Sequence, residues 1–255
     1  MFHVKHFYGV NMEFTEFNQL CRNIFAINAD LPQVDDDKTF KLFLLTKRML
    51  EVNRSMNLTA IKEEKAIILK HYADSLTICK YLPKNATLAD IGCGAGFPTL
   101  PLAIFRPDLK ITAIDSTAKR INYVNETASF LNLDNISAIS VRAEELGVLK
   151  EYRERFDVVT ARAVASLPVL TELCLPLVKI GGTFIAMKAQ KADEEIRASQ
   201  NAIQKCGGVM LRSEICSLTD DKINFENRTI VLINKVSSTP KEFPRHFSKI
   251  SKKPL

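Results

Sequence analysis

The sequence has little of what marks fibrous, disordered or membrane proteins. Glycine and proline contribute only 9 and 10 of the 255 residues, too few for a collagen-like or low-complexity chain. Hydrophobic residues make up 46% of the chain and charged residues 25%, a mixture that excludes a disordered protein. No run of 18 apolar residues occurs, and the first residues lack a basic region followed by an apolar one. We therefore expect a cytoplasmic protein that makes no membrane contact.

The six cysteines lack the spacing of a metal site or a disulfide framework. They are scattered from Cys21 to Cys216 without a CxxC pair, and the chain has only four histidines. A structural zinc site needs clustered nitrogen and sulfur ligands, and a disulfide framework needs a secreted context. The pattern predicts ordinary buried thiols in a reducing compartment and no bound metal.

Positive charge is concentrated in the last part of the chain. The protein has 35 basic and 29 acidic residues, a net charge of +6. Residues 235–255 hold six of the basic residues and one acid, so the preceding 234 residues carry only +1. A nearly neutral body with a basic tail is typical of a protein that binds a polyanion such as RNA. A solvated tail that only maintains solubility explains the same charges.

Hydrophobic periodicity divides the chain into a helical first third and an alternating β/α region. In residues 1–83, apolar positions recur at steps of three and four, which predicts a helical N-terminal portion. In residues 84–238, five β-then-α units precede two apolar runs, 209–215 and 229–236, that no helix connects. This order predicts an α/β fold with a seven-stranded Rossmann-like sheet, mostly parallel, with an antiparallel edge hairpin. Residues 239–255 form the basic tail.

Prolines set one helix boundary within the β/α region. The pattern predicts a helix from Pro168 to Lys179, with a proline at its start. Pro176 is expected to kink this helix. Gly181 and Gly182 then lead into a predicted strand over 183–187.

A glycine-rich turn follows the first predicted strand. Gly92, Gly94 and Gly96 are three of only nine glycines, and they fall within five positions. Glycine accepts positive φ and lets a ligand lie against the main chain, and ligands of parallel sheets bind beyond the carboxyl ends of the strands. The spacing G-x-G-x-G differs from the dinucleotide fingerprint G-x-G-x-x-G and favours S-adenosylmethionine over a nicotinamide dinucleotide. A tight turn without a ligand is the structural alternative.

Two carboxylates follow the next two predicted strands. Asp115 lies 23 residues after Gly92, at the end of the second strand, where it can accept both ribose hydroxyls of an adenosine. It can also cap the following helix, and the two roles are compatible. Glu144 follows the third strand and is placed to meet an adenine amino group, although a solvated turn acid explains it as well. Both positions suit an adenosine cofactor.

Several linked motifs resemble one known family. They are residues 57–61 (NLTAI), 71–76 (HYADSL), 90–98 (DIGCGAGFP) and 160–165 (TARAVA), with a similar ending over 239–255. In this order they resemble the family of ribosomal RNA small subunit methyltransferase G, also called glucose-inhibited division protein B. The resemblance extends from about Asn53 to the C-terminus.

Three positions depart from the family pattern. Cys93 stands where many relatives have serine or threonine, and Thr99 stands where many have glycine. The tail segment Arg245–Ser248 lacks the glycine expected from relatives. The first two departures leave the assignment intact, whereas the third means that the family pattern predicts no specific contact for this part of the tail.

The resemblance implies methyl transfer from S-adenosylmethionine to N7 of one guanine in 16S ribosomal RNA. Its motifs imply cofactor contacts at Gly92, Phe97, Ala143, Glu144 and Arg162. The partner would be the RNA or the small ribosomal subunit, and we expect a monomer. Guanine N7 has a free lone pair and loses no proton, so alignment supplies most of the rate and no catalytic residue is predicted.

Arg162 and two residues of the third predicted helix have both a functional and a structural interpretation. Arg162 is expected on the cofactor carboxylate or an RNA phosphate, or else in a surface ion pair with Glu144 or Asp157. His71 and Asp74, at i and i+3, would hold the target base or order the helical portion.

Two basic residues outside the glycine turn are candidate RNA contacts. Lys188 follows the fifth predicted strand, where a solvated lysine is equally plausible. Arg245 lies in the basic tail, and we expect deletion of 239–255 to weaken RNA binding while sparing cofactor binding.

Two other functions stay open on the sequence alone. A small-molecule methyltransferase would share the glycine turn but gives no reason for the basic tail. A nicotinamide-dependent oxidoreductase would share Gly92 and Asp115 but should show the longer glycine spacing.

Overall fold

A seven-stranded mixed sheet forms the centre of the computed structural model, which describes residues 12–189, 192–220 and 225–255. The strands are β1 (Thr87–Ile91), β2 (Lys110–Asp115), β3 (Ile136–Ser140), β4 (Phe156–Arg162), β5 (Val178–Lys188), β6 (Gly208–Thr219) and β7 (Phe225–Lys235). Their order across the sheet is β3-β2-β1-β4-β5-β7-β6. Strands β1 to β5 pair in parallel, whereas β7 is antiparallel to both β5 and β6. The predicted fold, including the edge hairpin, is confirmed.

Helices cover both faces of this sheet and form the N-terminal portion. They are α1 (Phe14–Ile27), α2 (Asp36–Met56), α3 (Glu64–Ile67), α4 (Asp74–Leu76), α5 (Thr99–Phe105), α6 (Ala118–Phe130), α7 (Ala143–Leu146), α8 (Leu167–Cys174), α9 (Ala192–Lys205) and α10 (Phe247–Lys252). A π-helical segment, Ile68–Ala73, joins α3 to α4. The strand order reverses between β1 and β4, which in such sheets opens a ligand crevice at the carboxyl ends.

The N-terminal helices share a hydrophobic cluster with one face of the sheet. Phe17 of α1 and Leu42 of α2 are fully buried in the same cluster as Leu88 of β1. The buried Tyr72 hydroxyl lies 2.6 Å from Thr46 Oγ1 of α2, so its polar atom is satisfied inside this core. The helical portion is therefore packed against the sheet.

The segment between β4 and β5 differs from the predicted helix and strand. Helix α8 ends at Cys174, and a 3-10 turn, Leu175–Leu177, leads directly into β5 at Val178. Pro176 has no N–H group for a further helical hydrogen bond, so it ends the helix instead of kinking it. Gly182 lies inside β5, where a Cβ atom would be 2.6 Å from the Asp157 carbonyl oxygen of β4. Both glycines belong to the strand, which begins five residues earlier than predicted.

The basic tail is packed against the body of the protein. Phe243 and Ile250 are buried in a second hydrophobic cluster with residues of β4, β5 and β7. The Arg153 guanidinium donates hydrogen bonds to the carbonyl oxygens of Thr239, Pro240 and Phe243. The alternative of a freely solvated tail is therefore wrong for this segment.

Buried polar contacts fix the start of the tail. Lys235, at the end of β7, is buried and donates to the Leu175 carbonyl oxygen at 2.7 Å and to the Thr239 hydroxyl. Its ammonium also lies 3.2 Å from a carboxylate oxygen of Glu154. Burial lowers the pKa of Lys235, opposed by Glu154. These contacts hold Thr239, the first residue of the tail, against the end of β7.

We predict that Ile250→Ala lowers the free energy of unfolding by about 2–5 kcal/mol, the usual cost of truncating a fully buried isoleucine. Urea unfolding measures the change. The control is Val236→Ala, at a side chain that is 55% exposed, which should change the free energy by no more than about 0.5 kcal/mol. Equal, small effects of the two changes would show that the tail is not part of the core.

Candidate functional site

The glycine turn between β1 and α5 is held against the end of β2. The backbone N–H groups of Gly92 and Cys93 both donate to the Ile114 carbonyl oxygen, at 2.7 and 3.0 Å. Gly92, Gly94 and Gly96 all have positive φ, between 56° and 85°. At Gly94 a Cβ atom would meet no atom closer than 3.9 Å, so this part of the main chain borders open space. The turn therefore leaves room for a ligand against the backbone.

A cleft of about 360 Å³ opens at the carboxyl ends of β1, β2, β3 and β4. It brings together four residues predicted from the sequence, Gly92, Asp115, Ala143 and Glu144. The loop after β4 and the first residue of α10, Phe247, complete its lining. The crevice expected from the reversal of strand order is thus a formed cleft, and its walls come from distant parts of the sequence.

Asp115, the last residue of β2, connects two walls of the cleft through its carboxylate. One carboxylate oxygen accepts from the Thr117 N–H at 2.8 Å, and the other accepts from the Gly94 N–H at 3.0 Å. The first contact supports the start of α6, and the second joins the carboxylate to the glycine turn. Each oxygen has two lone pairs, so the structural role leaves capacity for the hydroxyl groups of a ligand.

Glu144 supplies a buried acceptor that has no donor. It lies in α7, and its side chain is only 7% exposed. Its Oε1 atom has no hydrogen-bond partner, and the nearest cation, Arg142 Nη1, is 4.0 Å away. A buried carboxylate oxygen without a hydrogen bond lowers the stability of the folded protein, so such an atom indicates a site for a hydrogen-bond donor. An amino group of a ligand in the cleft fits this atom, so the residues present suit an adenosine cofactor.

Arg162 is paired with a partner that sequence reasoning did not propose. Its Nη1 atom lies 2.6 Å from Asp74 Oδ2, and Arg228 Nε lies 2.8 Å from Asp74 Oδ1. The expected surface pair with Glu144 or Asp157 is wrong, because the guanidinium turns to the N-terminal helical portion. Asp74 is buried, so it joins that portion to β4 and β7 through two ion pairs.

His71 and Phe97 form a stacked pair beside the glycine turn. Their ring centroids are 4.5 Å apart and the planes differ by 10°. His71 Nε2 lies 2.9 Å from Thr59 Oγ1, and Nδ1 lies 3.4 Å from Arg162 Nη2. Burial and then the Arg162 charge lower the pKa of His71 to about 4, so the ring is neutral at pH 7. The histidine lies in the π-helical segment, a conformation frequent at functional sites.

Comparison with known proteins gives the family. The family model of rRNA small subunit methyltransferase G, GidB, matches residues 38–224. A ribosomal RNA small subunit methyltransferase G of Halalkalibacterium halodurans is 43% identical over 248 residues, 96% of this chain and 100% of that protein. The corresponding protein of Desulforamulus reducens is 47% identical over 209 residues, 81% of this chain and 86% of that one. The chain belongs to the GidB family.

A solved structure shares the fold of this GidB family member. The antibiotic-resistance methyltransferase Kmr matches with a TM-score of 0.50 and 17% identity, over 65% of this chain and 94% of that one. At this identity the match concerns the architecture of the sheet alone.

The two candidate RNA contacts of this GidB family member, Lys188 and Arg245, both form hydrogen bonds and ion pairs within the protein. Lys188 Nζ lies 2.8 Å from the Ala165 carbonyl oxygen and 2.8 Å from Glu195 Oε2. Arg245 Nη2 lies 2.6 Å from Oε2 of Glu172, whose side chain is fully buried. These contacts give no support to a role in RNA binding for either residue. They fix the loop after β4 and the start of α10.

Asp90 is a buried carboxylate just before the glycine turn that sequence reasoning did not single out. It is fully buried at the end of β1, where Oδ2 accepts from Thr99 Oγ1 at 2.6 Å and Oδ1 has no partner. Burial raises the pKa of Asp90 to about 6. The available signal was an aspartate inside an otherwise apolar strand. Thr99, noted only as a departure from relatives, supplies its hydrogen bond.

The described residues show neither a membrane span nor a metal cluster. None of the helices in these parts of the chain is long and apolar enough to cross a membrane. No group of three histidine, cysteine, aspartate or glutamate side chains in the described ranges could hold a metal ion. The cysteines are buried, apart from the partly buried Cys79.

We predict that Gly94→Val raises the Kd for S-adenosylmethionine at least tenfold, because the side chain would enter the open space beside the turn. Isothermal titration calorimetry gives the Kd. Gly181→Val is the matched control, because Gly181 also has positive φ and no atom within 4 Å of an added Cβ, but it lies within β5 and not in the glycine turn. An unchanged Kd for Gly94→Val would contradict the assignment of the turn.

We predict that Asp90→Asn stabilises the unliganded protein above pH 6, by on the order of 1–3 kcal/mol. The raised pKa means that folding favours the neutral carboxyl. The neutral Asp90 carboxyl stabilises the folded state fully at pH values below the pKa that this carboxyl has in the unfolded chain. That stabilisation is lost as the pH rises through about 6, the pKa in the folded protein. The gain from the asparagine should therefore shrink as the pH falls from 6 towards 4.

Chemical unfolding at pH 4, 5, 6 and 8 tests this dependence. Asp157→Asn is the control, because the pKa of Asp157 is shifted in the opposite direction. Burial raises that pKa, but the contacts with Lys179 and Thr87 outweigh burial and lower it to about 2. That change should cost more stability at pH 8 than at pH 4. A gain for Asp90→Asn that does not vary with pH would show that its carboxyl is not the titrating group.

Proposed function

We propose that this chain transfers the methyl group of S-adenosylmethionine to N7 of a guanine in 16S ribosomal RNA. Membership of the GidB family supports methylation of small-subunit ribosomal RNA as the reaction. The observation that carries the cofactor assignment is the cleft at the carboxyl ends of the strands, which is lined by Gly92, Asp115 and Glu144 and in which Glu144 Oε1 is buried without a donor. A nicotinamide dinucleotide would need a phosphate site that the glycine spacing does not favour.

The adenosine end of the cofactor would occupy the side of the cleft formed by β2 and β3. Asp115 would accept from the ribose hydroxyls through the lone pairs that Thr117 and Gly94 leave unused. Glu144 Oε1 would accept from the adenine amino group. Hydrogen bonds to a charged acceptor contribute about 1.5–3 kcal/mol each, enough to select an adenosine.

The methionine end would lie beyond the turn, towards Phe97 and Arg162. The Arg162 guanidinium lies 5.6 Å from the Phe97 ring and has five N–H donors, of which Asp74, the Lys70 carbonyl oxygen and His71 Nδ1 engage three. It can therefore hold a carboxylate while Asp74 offsets its charge. This pairing reduces the repulsion that a free cation would exert on a nearby sulfonium.

The geometry suits an acceptor that loses no proton. The cofactor, when bound, supplies an electrophilic methyl group for an in-line displacement. His71 is neutral at pH 7, with one ring nitrogen against the Thr59 hydroxyl and the other facing Arg162. A ring of such low pKa is a weak base, and both of its nitrogens already have partners within the protein, so no general-base role is assigned to it. Guanine N7 offers a lone pair directly, so positioning supplies most of the rate.

Ribosomal RNA would approach as a polyanion from the face that carries α10. Lys249, Lys252 and Lys253 are exposed there and line a shallow basic cleft, whereas the Arg245 charge is paired with Glu172. Phosphate contacts by such residues position an RNA without reading its sequence. We propose that the enzyme acts in the cytoplasm, as a monomer.

We predict that the purified protein transfers labelled methyl groups from S-adenosylmethionine to small ribosomal subunits from cells lacking it. Reduction and aniline cleavage, which break the strand at 7-methylguanine, should give one new stop in primer extension of 16S RNA. The Gly94→Val variant should give neither label nor stop. Label at another atom of the base would overturn the N7 assignment, and label only in metabolite fractions would overturn the RNA substrate.

A further inference from the structure

Phe247 is an exposed aromatic residue at the mouth of the cofactor cleft. It is the first residue of α10, it is 36% exposed, and it lines the cleft together with Ala143 and Glu144. We infer that this ring stacks on the adenine of the cofactor, so that the C-terminal segment closes the cofactor site. The inference rests on the proposed function and adds a binding residue to it.

The residues around Phe247 are anchored, so the exposure of its ring does not result from a loose segment. Pro244 packs on Gly147 at the end of α7, where a Cβ atom would be 2.8 Å from Pro244 Cγ. On the other side Ile250 is fully buried. His246 caps α10 by accepting from the Ser248 N–H. The fold therefore holds one large apolar ring at the opening of a cleft.

The surroundings of the ring match a flat heterocycle that carries an amino group. Val141, Leu173 and Val164 give the cleft apolar walls, and Glu144 gives it a buried acceptor without a donor. An aromatic face and a hydrogen-bond acceptor are the two features that a purine with an exocyclic amine requires. Stacking on an aromatic side chain binds any base, whereas the acceptor selects the amine.

The position of Phe247 favours the adenine of the cofactor over a base of the RNA. The tail reaches the cleft by packing on the end of α7, the short helix that carries Glu144. The adenosine end proposed above lies on this side, beyond β2 and β3. The methyl group would lie towards Arg162, which is absent from the residues that line the cleft. A target base stacked on Phe247 would therefore be far from the methyl donor.

This arrangement changes the role expected for the tail. Deletion of 239–255 was expected to spare cofactor binding, but it would remove Phe247 from the cleft and Phe243 and Ile250 from the core. A truncated chain is therefore a poor test, because loss of binding would also follow from partial unfolding. Single substitutions at the exposed ring avoid that problem.

The chain has no tryptophan, so Phe247→Trp introduces a single indole as a fluorescent reporter. Titration with S-adenosylhomocysteine should quench its emission with saturation, because a stacked adenine lies against the indole. Phe130→Trp is the matched control: Phe130 is 39% exposed, lies at the end of α6 and is outside the cleft. Its emission should not change.

Calorimetry of Phe247→Ala gives a second readout. The Kd for S-adenosylhomocysteine should rise about tenfold, the effect of removing one base-stacking side chain, while the Tm of the unliganded protein stays within about 2 °C. Phe247→Tyr should keep the wild-type Kd. These results together would support the inference.

The outcomes separate this inference from the proposed function. If the wild-type protein does not bind S-adenosylhomocysteine, the proposed cofactor is wrong and the inference falls with it. If the wild type binds it but the Phe247→Trp emission and the Phe247→Ala Kd do not change, only the inference is overturned. Quenching that occurs with a fragment of 16S RNA but not with S-adenosylhomocysteine would overturn it as well, and would assign the ring to the RNA.

Discussion

The site depends on the connection between the glycine turn and β2. Two backbone N–H groups of the turn converge on the Ile114 carbonyl oxygen, and the Gly94 N–H binds the Asp115 carboxylate. These contacts fix a main chain of positive φ that ordinary side chains would disfavour. Asp115 also accepts a hydrogen bond from the Thr117 N–H at the start of α6. One side chain therefore positions both the glycine turn and the first residues of α6. The shape of this part of the cleft is therefore set by contacts within the protein.

Buried carboxylates in this region serve two different purposes. Asp74 receives two guanidinium groups and joins the N-terminal helical portion to β4 and β7. Asp90 and Glu144 each keep one buried oxygen without a partner. Removing one partner from a buried pair such as Asp74–Arg162 is expected to be costly, whereas the unpartnered oxygens already cost stability in the free protein. The Asp74 pairs therefore rigidify the contact between the helical portion and the sheet, whereas Glu144 offers an acceptor inside the cleft.

The sheet and part of the site were predictable because their signals are local. Strand and helix periodicity gave the fold, and the glycine turn, Asp115 and Glu144 could be read from their places after strands. The boundary at Pro176 was missed because a proline inside an apolar run leaves open whether a helix kinks or ends. Arg162 and Asp74 are 88 positions apart, and Phe247 is more than 70 positions from every other residue that lines the cleft. Such contacts follow from tertiary packing, which no spacing in the sequence encodes.

The C-terminal tail contains both basic residues, which predict RNA binding, and apolar residues, which pack into the core. Its five basic residues predict an extension that binds RNA, but its apolar residues are spaced so that Phe243 and Ile250 reach the core. Lys235 and Arg245 then satisfy buried partners, Thr239 and Glu172, and their charges are no longer free for RNA. The exposed lysines that remain are Lys241, Lys249, Lys252 and Lys253. The last three lie on or beside the helix whose first residue borders the cleft, so RNA binding and cofactor binding share one short element.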